Sequence, residues 1–491
     1  MKYLLGIDFG GGASKATLLD TQGRIAAENT VEYPTLYPQP GFCEQRPEDW
    51  CRALCENIRA LLEKSGAAAG DILALALDSA THTWVAADEN FEPLFSAIHW
   101  TDTRARQQAA ALREEHAELI FRLTFHQPDT IWSLPQLLWV RQNRPEAFAK
   151  IRRIFFEKDY LRFFLTGVFC TDFIDAQGSM LFDATRACWS PELAELAGID
   201  REALPPLCRP DDTIGQVTPA AAAATGLCAG TPVICGTTDT CMEVFAAGAV
   251  HQGDATVKLA TAGRICVVTD RPCPDRDLVN YAHIVPGLWY PGSATKSAAA
   301  SLRWYRDTFG GDYRELDRAA ADIPIGSEGL FFHPYLNGEL TPYADPALCG
   351  SFVGIRATHG KAHFTRSVLE GVAFSLYHCR QKMQQLGLTL PPAATLIGGG
   401  SKSALWAQIT ADCLGMDLQV NQSSDSSLGS AMLAGLAIGV FKTPEEAVRV
   451  CIQRKGRFSA VPENTRQYAR LFERYVRIHD VLAPVYGESS L

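Results

Sequence analysis

Short apolar runs that stop abruptly at glycines or polar clusters recur along the chain. The first, Tyr3-Leu4-Leu5-Gly6-Ile7, predicts a buried strand, and Ala16-Thr17-Leu18-Leu19-Asp20 predicts a second that pairs with it. Between them, Gly10, Gly11 and Gly12 fall in the turn of a hairpin. Glycines there permit positive φ and let a ligand approach backbone N–H groups that can face an anion. Asp8 stands at the mouth of the turn, where a carboxylate beside a phosphate would hold a divalent cation. A plain tight turn with an exposed acid and lysine accounts for the same stretch. The spacing excludes a P-loop, both here and at Gly398-Gly399-Gly400-Ser401-Lys402-Ser403, and contiguous glycines followed by a strand exclude the dinucleotide fingerprint.

Downstream, Arg46-Pro47-Glu48-Asp49-Trp50 suits the first turn of a helix running to about Lys64. Ile72–Leu77 predicts a buried strand entering Asp78-Ser79-Ala80-Thr81-His82-Thr83-Trp84, and His99-Trp100-Thr101-Asp102-Thr103-Arg104 follows another apolar segment and opens a helix. Polar residues at the carboxyl ends of strands face the ligand crevice of an open α/β sheet. Two such clusters suit a sugar or polyol, although a lone histidine such as His82 is more often structural than a substrate contact and Asp102 and Arg104 also read as a simple surface pair. Helical patterns cover Ala105–Glu118, Leu134–Asn143 and Phe156–Thr166, the last stopped by Gly167; Asp172–Ser179 reads as a polar loop. Pro232–Gly236 is the next buried strand, and Asp239 lies where it turns into the helix Thr240–Ala247, a place that also suits an ordinary cap.

Past Gly253 the pattern restarts. Ala255–Leu259, the small-residue turn Ala260-Thr261-Ala262-Gly263 and Arg264–Val268 repeat the opening strand, turn and strand. A repeated architecture implies two duplicated domains facing one cleft, with the boundary near residues 248–254. Arg366–Leu386 follows as a long helix, and the strand Thr395–Ile397 enters Gly398–Ser403 and the helix Trp406–Leu414. That strand, glycine turn and helix start offer bare backbone to a nucleoside, or a mere connection.

Across 491 residues, 47% hydrophobic and 20% charged content describe a soluble enzyme of several domains. A net charge of −10 with interspersed signs argues against nucleic acid or an anionic membrane as the main partner. Fifteen cysteines without a Cys-x-x-Cys pair read as reduced thiols of a cytoplasmic protein. The N-terminal apolar run stops at Asp8, too short for a secretory leader, and Thr213–Thr238 is too interrupted to span a bilayer.

The glycine hairpin resembles the phosphate loop of the actin, hexokinase and Hsp70 superfamily. The order of the remaining motifs resembles the FGGY carbohydrate kinases over nearly the whole chain. Asp8–Lys15 is similar to that family's first phosphate motif, Gly41–Trp50 to its Glu-Gln-x-Pro-x-x-Trp segment, and Val233–Asp239 to the motif carrying its catalytic base. Gly338–Pro342, Glu370–Phe374 and Gly398–Ser403 resemble its C-terminal signatures, the last its adenosine site. Leu138–Val140, Lys158–Leu161 and Ser301–Tyr305 are most like the xylulose kinases.

The resemblance implies an α/β protein of two duplicated actin/hexokinase-like (ribonuclease H-like) domains, residues 1–250 and 251–491, flanking a deep cleft. It implies ATP and Mg²⁺, a ketose substrate such as D-xylulose, and a homodimer. Asp239 is then the general base and Asp8 the Mg²⁺ ligand. Thr81, His82, Trp100, Asp102, Arg104 and Asp239 become the sugar site. Gly10, Gly11, Gly12, Ser14, Lys15, Thr261, Ala262, Gly263, Gly399, Gly400 and Ser401 become the nucleotide site. Three departures stand out. The family's threonine after Asp-x-Gly is Gly11, so Ser14 or backbone N–H groups must serve in its place; Gly-Thr-Ser of the second phosphate loop is Ala260-Thr261-Ala262; and the Gln-Met-His that contacts xylulose is Ala80-Thr81-His82. Another ketose or a polyol, a non-catalytic sugar sensor, and an actin-like ATPase remain as alternatives.

Overall fold

A computed structural model describes residues 1–487, which form two compact units. The first comprises Met1–Gly248, Tyr281–Pro286 and Ser423–Ile452; the second comprises Ala249–Asn280, Gly287–Gln422 and Gln453–Leu491, of which 488–491 lie outside the described residues. The first change of unit falls at 248/249, but a single cut near 250 does not describe the chain. Two later segments return to the first unit, and one of them is a helix that fills its sheet.

That sheet has six strands: β1 (Tyr3–Phe9), β2 (Ala13–Asp20), β3 (Ile25–Glu32), β4 (Ile72–Ser79), β5 (Thr213–Gln216) and β6 (Pro232–Thr238). Their spatial order is β5-β6-β4-β1-β2-β3. β1, β4 and β6 are mutually parallel and the remaining pairings antiparallel. The hairpin predicted at the N-terminus forms, with longer strands than expected, so Asp8 lies within β1 opposite Lys15 and the turn shrinks to Gly10–Gly12.

Helix α1 (Pro47–Ser65) begins on Pro47, ends at left-handed Gly66, and lays Trp50, Leu54, Ile58 and Leu61 against Leu5, Ile7, Leu18 and Leu75. Helix α2 (Glu157–Thr166) precedes the short helix Phe173–Gln177, where a loop was expected; Asp172 caps it through Ile174 and Asp175 N–H. The His99–Arg104 cluster forms a turn, and the helix starts only at Arg106. Helix α3 (Asp239–Ala246) leaves β6 directly. The returning helix packs on β1 so closely that a Cβ on Gly6 would lie 1.9 Å from Ser427 O, which only glycine accommodates.

The second unit repeats the plan. Its strands are β7 (Ala255–Leu259), β8 (Gly263–Val267), β9 (Gly292–Thr295), β10 (Ala393–Ile397), β11 (Asp417–Asn421) and β12 (Arg454–Phe458). The order β9-β8-β7-β10-β11-β12 carries the same alternation of antiparallel and parallel pairings as β3-β2-β1-β4-β6-β5. Helices α4 (Ala299–Phe309), α5 (Lys361–Gln385) and α6 (Ala404–Leu414) cover it, and α7 (Ser426–Ala437) is the helix that returns to the first unit. Val257, Leu259, Ile265, Val372, Leu376 and Trp406 belong to this core. All fifteen cysteines are free thiols, and among the described residues no helix is long and apolar enough to cross a membrane.

Burial holds His333 and His378 in this second core at about 4, far below an ordinary histidine, with His479 adding to the effect on each. Both are neutral when folded, while the unfolded chain takes up protons below about pH 6.5, so their stabilisation is lost as pH falls from there toward 4. At pH 5 the expected loss is about 1–2 kcal/mol per histidine. Glu339, raised by burial, offsets part of it. Hydrogen exchange, corrected for intrinsic rates, is expected to show α5 amides less protected at pH 5 than at pH 7; unchanged protection would refute the assignment.

Candidate active site

Because β1, β4 and β6 run parallel, their carboxyl ends share one sheet edge, and the register sets Asp8 beside Asp78 and Asp78 beside Thr237. Asp239 follows two residues later as the first residue of α3, whose N-cap is the Thr238 hydroxyl. Three carboxylates therefore converge where three strands end.

The Gly10–Gly12 turn sits at that edge, with each of its carbonyls pulled into the protein. Tyr33 Oη donates to Gly10 O, Thr35 Oγ1 and Gln45 Nε2 donate to Gly11 O (3.1 Å each), and Tyr33 N donates to Gly12 O (3.0 Å). Gly10 N–H is used by Ala13 O, whereas Gly11 and Gly12 N–H have no partner among the described residues. None of these glycines adopts the positive φ anticipated for them, and a Cβ at any would meet nothing nearer than 3.7 Å. Neither backbone conformation nor protein sterics demands glycine here. What it leaves is open space above two free amides, the arrangement that receives an anion.

Ser14 cannot supply the missing hydroxyl. Strand alternation turns it away from the turn, fully buried, where Asn57 Nδ2 donates to its Oγ and carbonyl (3.0 and 2.9 Å). Lys15 is engaged with Glu28 and Asp425 instead of standing open to phosphate.

Burial pushes the Asp8 carboxyl up to about 7, the nearby Asp239 charge adding to it. Asp78, fully buried, is held well above the carboxylate range by burial and by Asp8, while Ser430 Oγ on α7 donates to its Oδ2 at 2.5 Å. The Asp8 and Asp78 carboxyls lie within hydrogen-bonding reach of each other, a contact that raises Asp78 and lowers Asp8, and apart from it no described residue donates to the Oδ1 atom of either. Such oxygens fit a hard cation that takes one or two protein carboxylates and completes its shell with phosphate and water. No group of three or more His, Cys, Asp or Glu among the described residues forms a cage that needs no phosphate.

Behind this edge lies a buried charge network. Lys158 Nζ contacts Asp159 (2.7 Å), Asp172 (2.9 Å) and Asp175 (2.9 Å), and Arg162 contacts Asp159 (2.9 Å). Burial pulls Lys158 down, but the three carboxylates more than offset it and hold it well above the usual lysine range. The network grips β6: Arg162 Nη1 donates to Cys235 O (2.6 Å), and Thr237 Oγ1 donates to Asp172 Oδ1 (2.8 Å).

Of the expected sugar contacts, His82 has a left-handed backbone (φ 77°) and its Nδ1 donates to Gly178 O at 2.7 Å, leaving Nε2 as an acceptor 3.4 Å from Tyr281 Oη. Trp132 packs edge-on at 4.6 Å, and His126 bridges Trp132 and Tyr281. Thr81 lies beside it, so close to Gly178 that a Cβ there would lie 2.4 Å from Thr81 Cγ2. Trp100 is partly exposed. Asp102 and Arg104 differ from expectation: they form a buried pair at 2.8 Å, Arg104 also reaches Glu44 (2.7 Å), and Asp102 accepts from Cys43 N. These contacts fix the loop, while Arg104 Nη1, also buried, has no hydrogen-bond partner among the described residues.

In the second unit, Thr261 and Ala262 form the exposed turn between β7 and β8, followed by buried Gly263. Here the start of α4 holds the carbonyls: Ala298 N donates to Thr261 O (2.9 Å) and Ala299 N to Ala260 O (2.7 Å). Gly399 is exposed with open space around it, Gly400 packs on Leu259, and Ser401 Oγ donates to Gly398 O (2.7 Å). Sequence reasoning did not single out Asp78, Glu157, His99, Trp132 or Tyr281. Asp78 had a visible signal as the first polar residue after an apolar run; Tyr281 had none, since it lies in the second half of the sequence.

A duplicated α/β fold with an anion-ready hairpin turn beside converging carboxylates defines a phosphotransferase class of protein. The description "FGGY family of carbohydrate kinases" matches at its N-terminal domain over residues 3–246 and at its C-terminal domain over residues 257–438, and the chain belongs to that family. It is 32% identical over 486 residues to the xylulose kinase of Bacillus subtilis (strain 168), covering 98% of this chain and 97% of the relative. The ligand-bound xylulose kinase and the gluconate kinase of Lactobacillus acidophilus each superpose with a TM-score of 0.92 at 26% identity, covering 100% of both chains. The protein is a carbohydrate kinase.

Proposed function

We propose that this kinase transfers the γ-phosphoryl group of ATP to a primary hydroxyl of a ketose, most simply a pentulose such as D-xylulose. The observation that carries this reading is the shared strand edge, where Asp239 opens α3 beside Asp8 and the Gly10–Gly12 turn. Asp239 accepts the proton of the sugar hydroxyl as its oxygen attacks the γ-phosphorus in line and the bond to the ADP oxygen breaks. Gly11 and Gly12 N–H stabilise charge on the transferring group. Asp8, with Asp78 beside it, would hold Mg²⁺, which supplies charge neutralisation on the phosphates. The turn at Thr261–Gly263 and the Gly399–Ser401 segment receive the nucleotide.

Another ketose, a polyol or an aldonate is the second reading, favoured by Ala80 and Thr81 standing where the resemblance leads one to expect Gln and Met. The test is ADP release against ketopentoses, ketohexoses, alditols and gluconate. Sugar-dependent turnover greatest with a pentulose is the expected result. ATP turnover indifferent to every sugar would favour an actin-like ATPase, and sugar binding without ADP release would favour a sensor.

A further inference from the structure

Gly11 lacks the hydroxyl that the family resemblance leads one to expect, yet the space its side chain would fill has a neighbour. A Cβ built there would lie 3.8 Å from His99 Nε2 and 3.9 Å from His99 Cε1, with nothing nearer. The imidazole thus turns its Cε1–Nε2 edge toward the glycine turn. His99 is 3% exposed, and its Nε2 has no hydrogen-bond partner among the described residues.

Which nitrogen carries the proton follows from the other side of the ring. Nδ1 faces the Thr101 backbone N–H at 3.3 Å and Thr101 Oγ1 at 2.8 Å. A backbone N–H only donates, which assigns the acceptor role to Nδ1 and the proton of the neutral ring to Nε2. Thr101 Oγ1 then turns its hydrogen to Nδ1 and accepts from the Cys43 thiol, whose Sγ lies 3.1 Å from it and 3.5 Å from Nδ1. Burial keeps the ring neutral, at about 4. The result is a buried N–H donor, without an acceptor, aimed at a turn whose own free amides await an anion. An unsatisfied buried donor costs about 1–3 kcal/mol, so its acceptor is best sought in the ligand.

We propose that His99 Nε2–H donates to a non-bridging oxygen of the phosphate group held at the Gly10–Gly12 turn, in place of the hydroxyl absent at Gly11. The inference rests on the kinase reading above. It makes His99 a catalytic residue whose contribution is a fixed, uncharged donor.

The test compares His99→Phe, which keeps a ring without a donor, His99→Gln, whose amide retains one near the Nε2 position, and His99→Phe combined with Gly11→Thr. Since Gly11 is not left-handed and has room for a side chain, threonine is accommodated there. Removing one transition-state donor is expected to lower kcat about 10²–10³-fold in His99→Phe, with the sugar KM within about 2-fold. His99→Gln should stay within about 10-fold of the parent, and Gly11→Thr should restore about 10-fold or more to His99→Phe. In ¹⁵N-imidazole-labelled parent protein, the Nε2–H resonance is expected to move when ADP and aluminium fluoride are added. Full kcat in His99→Phe, or an Nε2–H resonance that does not move, overturns the proposal. A parent without sugar-dependent ADP release would refute the kinase reading instead, and the resonance experiment would still decide whether His99 meets phosphate.

Discussion

Asp239→Asn is expected to lower kcat by about 10²–10⁴ with the fold intact, because amide and carboxylate are nearly isosteric but only the carboxylate accepts a proton. Asp239 Oδ1 accepts from Thr240 N (2.6 Å) and lies 3.2 Å from Thr240 Oγ1. The asparagine oxygen can keep both contacts, so the side chain should stay oriented at the start of α3. Loss should therefore fall on kcat rather than on the sugar KM, as for an interaction realised only in the transition state. Steady-state kinetics with the best sugar from the panel, alongside thermal melts of both proteins, make the measurement. Near-parental kcat in a folded variant would remove Asp239 from the role of base.

The largest effect on stability is expected at Lys158. Lys158→Met removes the cation shared by Asp159, Asp172 and Asp175, all fully buried or nearly so. Arg162 remains, but it contacts Asp159 and leaves two carboxylates facing each other in the interior. Breaking a buried ion pair by deleting one partner costs about 3–5 kcal/mol, since the remaining charge is uncompensated. Activity should fall as well, because Asp172 holds Thr237, two residues before Asp239. Denaturant unfolding monitored in the first unit tests this; a loss below about 1 kcal/mol would show that the carboxylates take up protons or rearrange at little cost.

Both predictions concern residues of different legibility. Asp239 was visible because an apolar strand run breaks into polar residues and then a helix, a pattern that depends on adjacent positions alone. Lys158 was visible only as part of a helix; that Asp172 and Asp175, from a later segment, join its neighbour Asp159 around its ammonium depends on packing. The Gly10–Gly12 turn lies between these cases. Its hairpin follows from alternation of apolar residues, whereas the orientation of its amides follows from Tyr33, Thr35 and Gln45, which hold the carbonyls from a segment too proline-rich to predict. Asp102 and Arg104 show the converse: the polar cluster after an apolar run is visible in the sequence, but its burial and its ion pairing with Glu44 depend on packing.

The sequence by itself determined the two hairpin-led halves, the strands that carry Asp8 and Asp239, and the family, because each depends on local periodicity or on motif order. Only the tertiary structure decided that residues 281–286 and 423–452 return to the first unit, bringing Tyr281 beside His82 and Ser430 beside Asp78. It alone turned Ser14 into the core and His99 toward Gly11. These are contacts between positions far apart in the chain, set by sheet register and helix packing, and no local pattern encodes them.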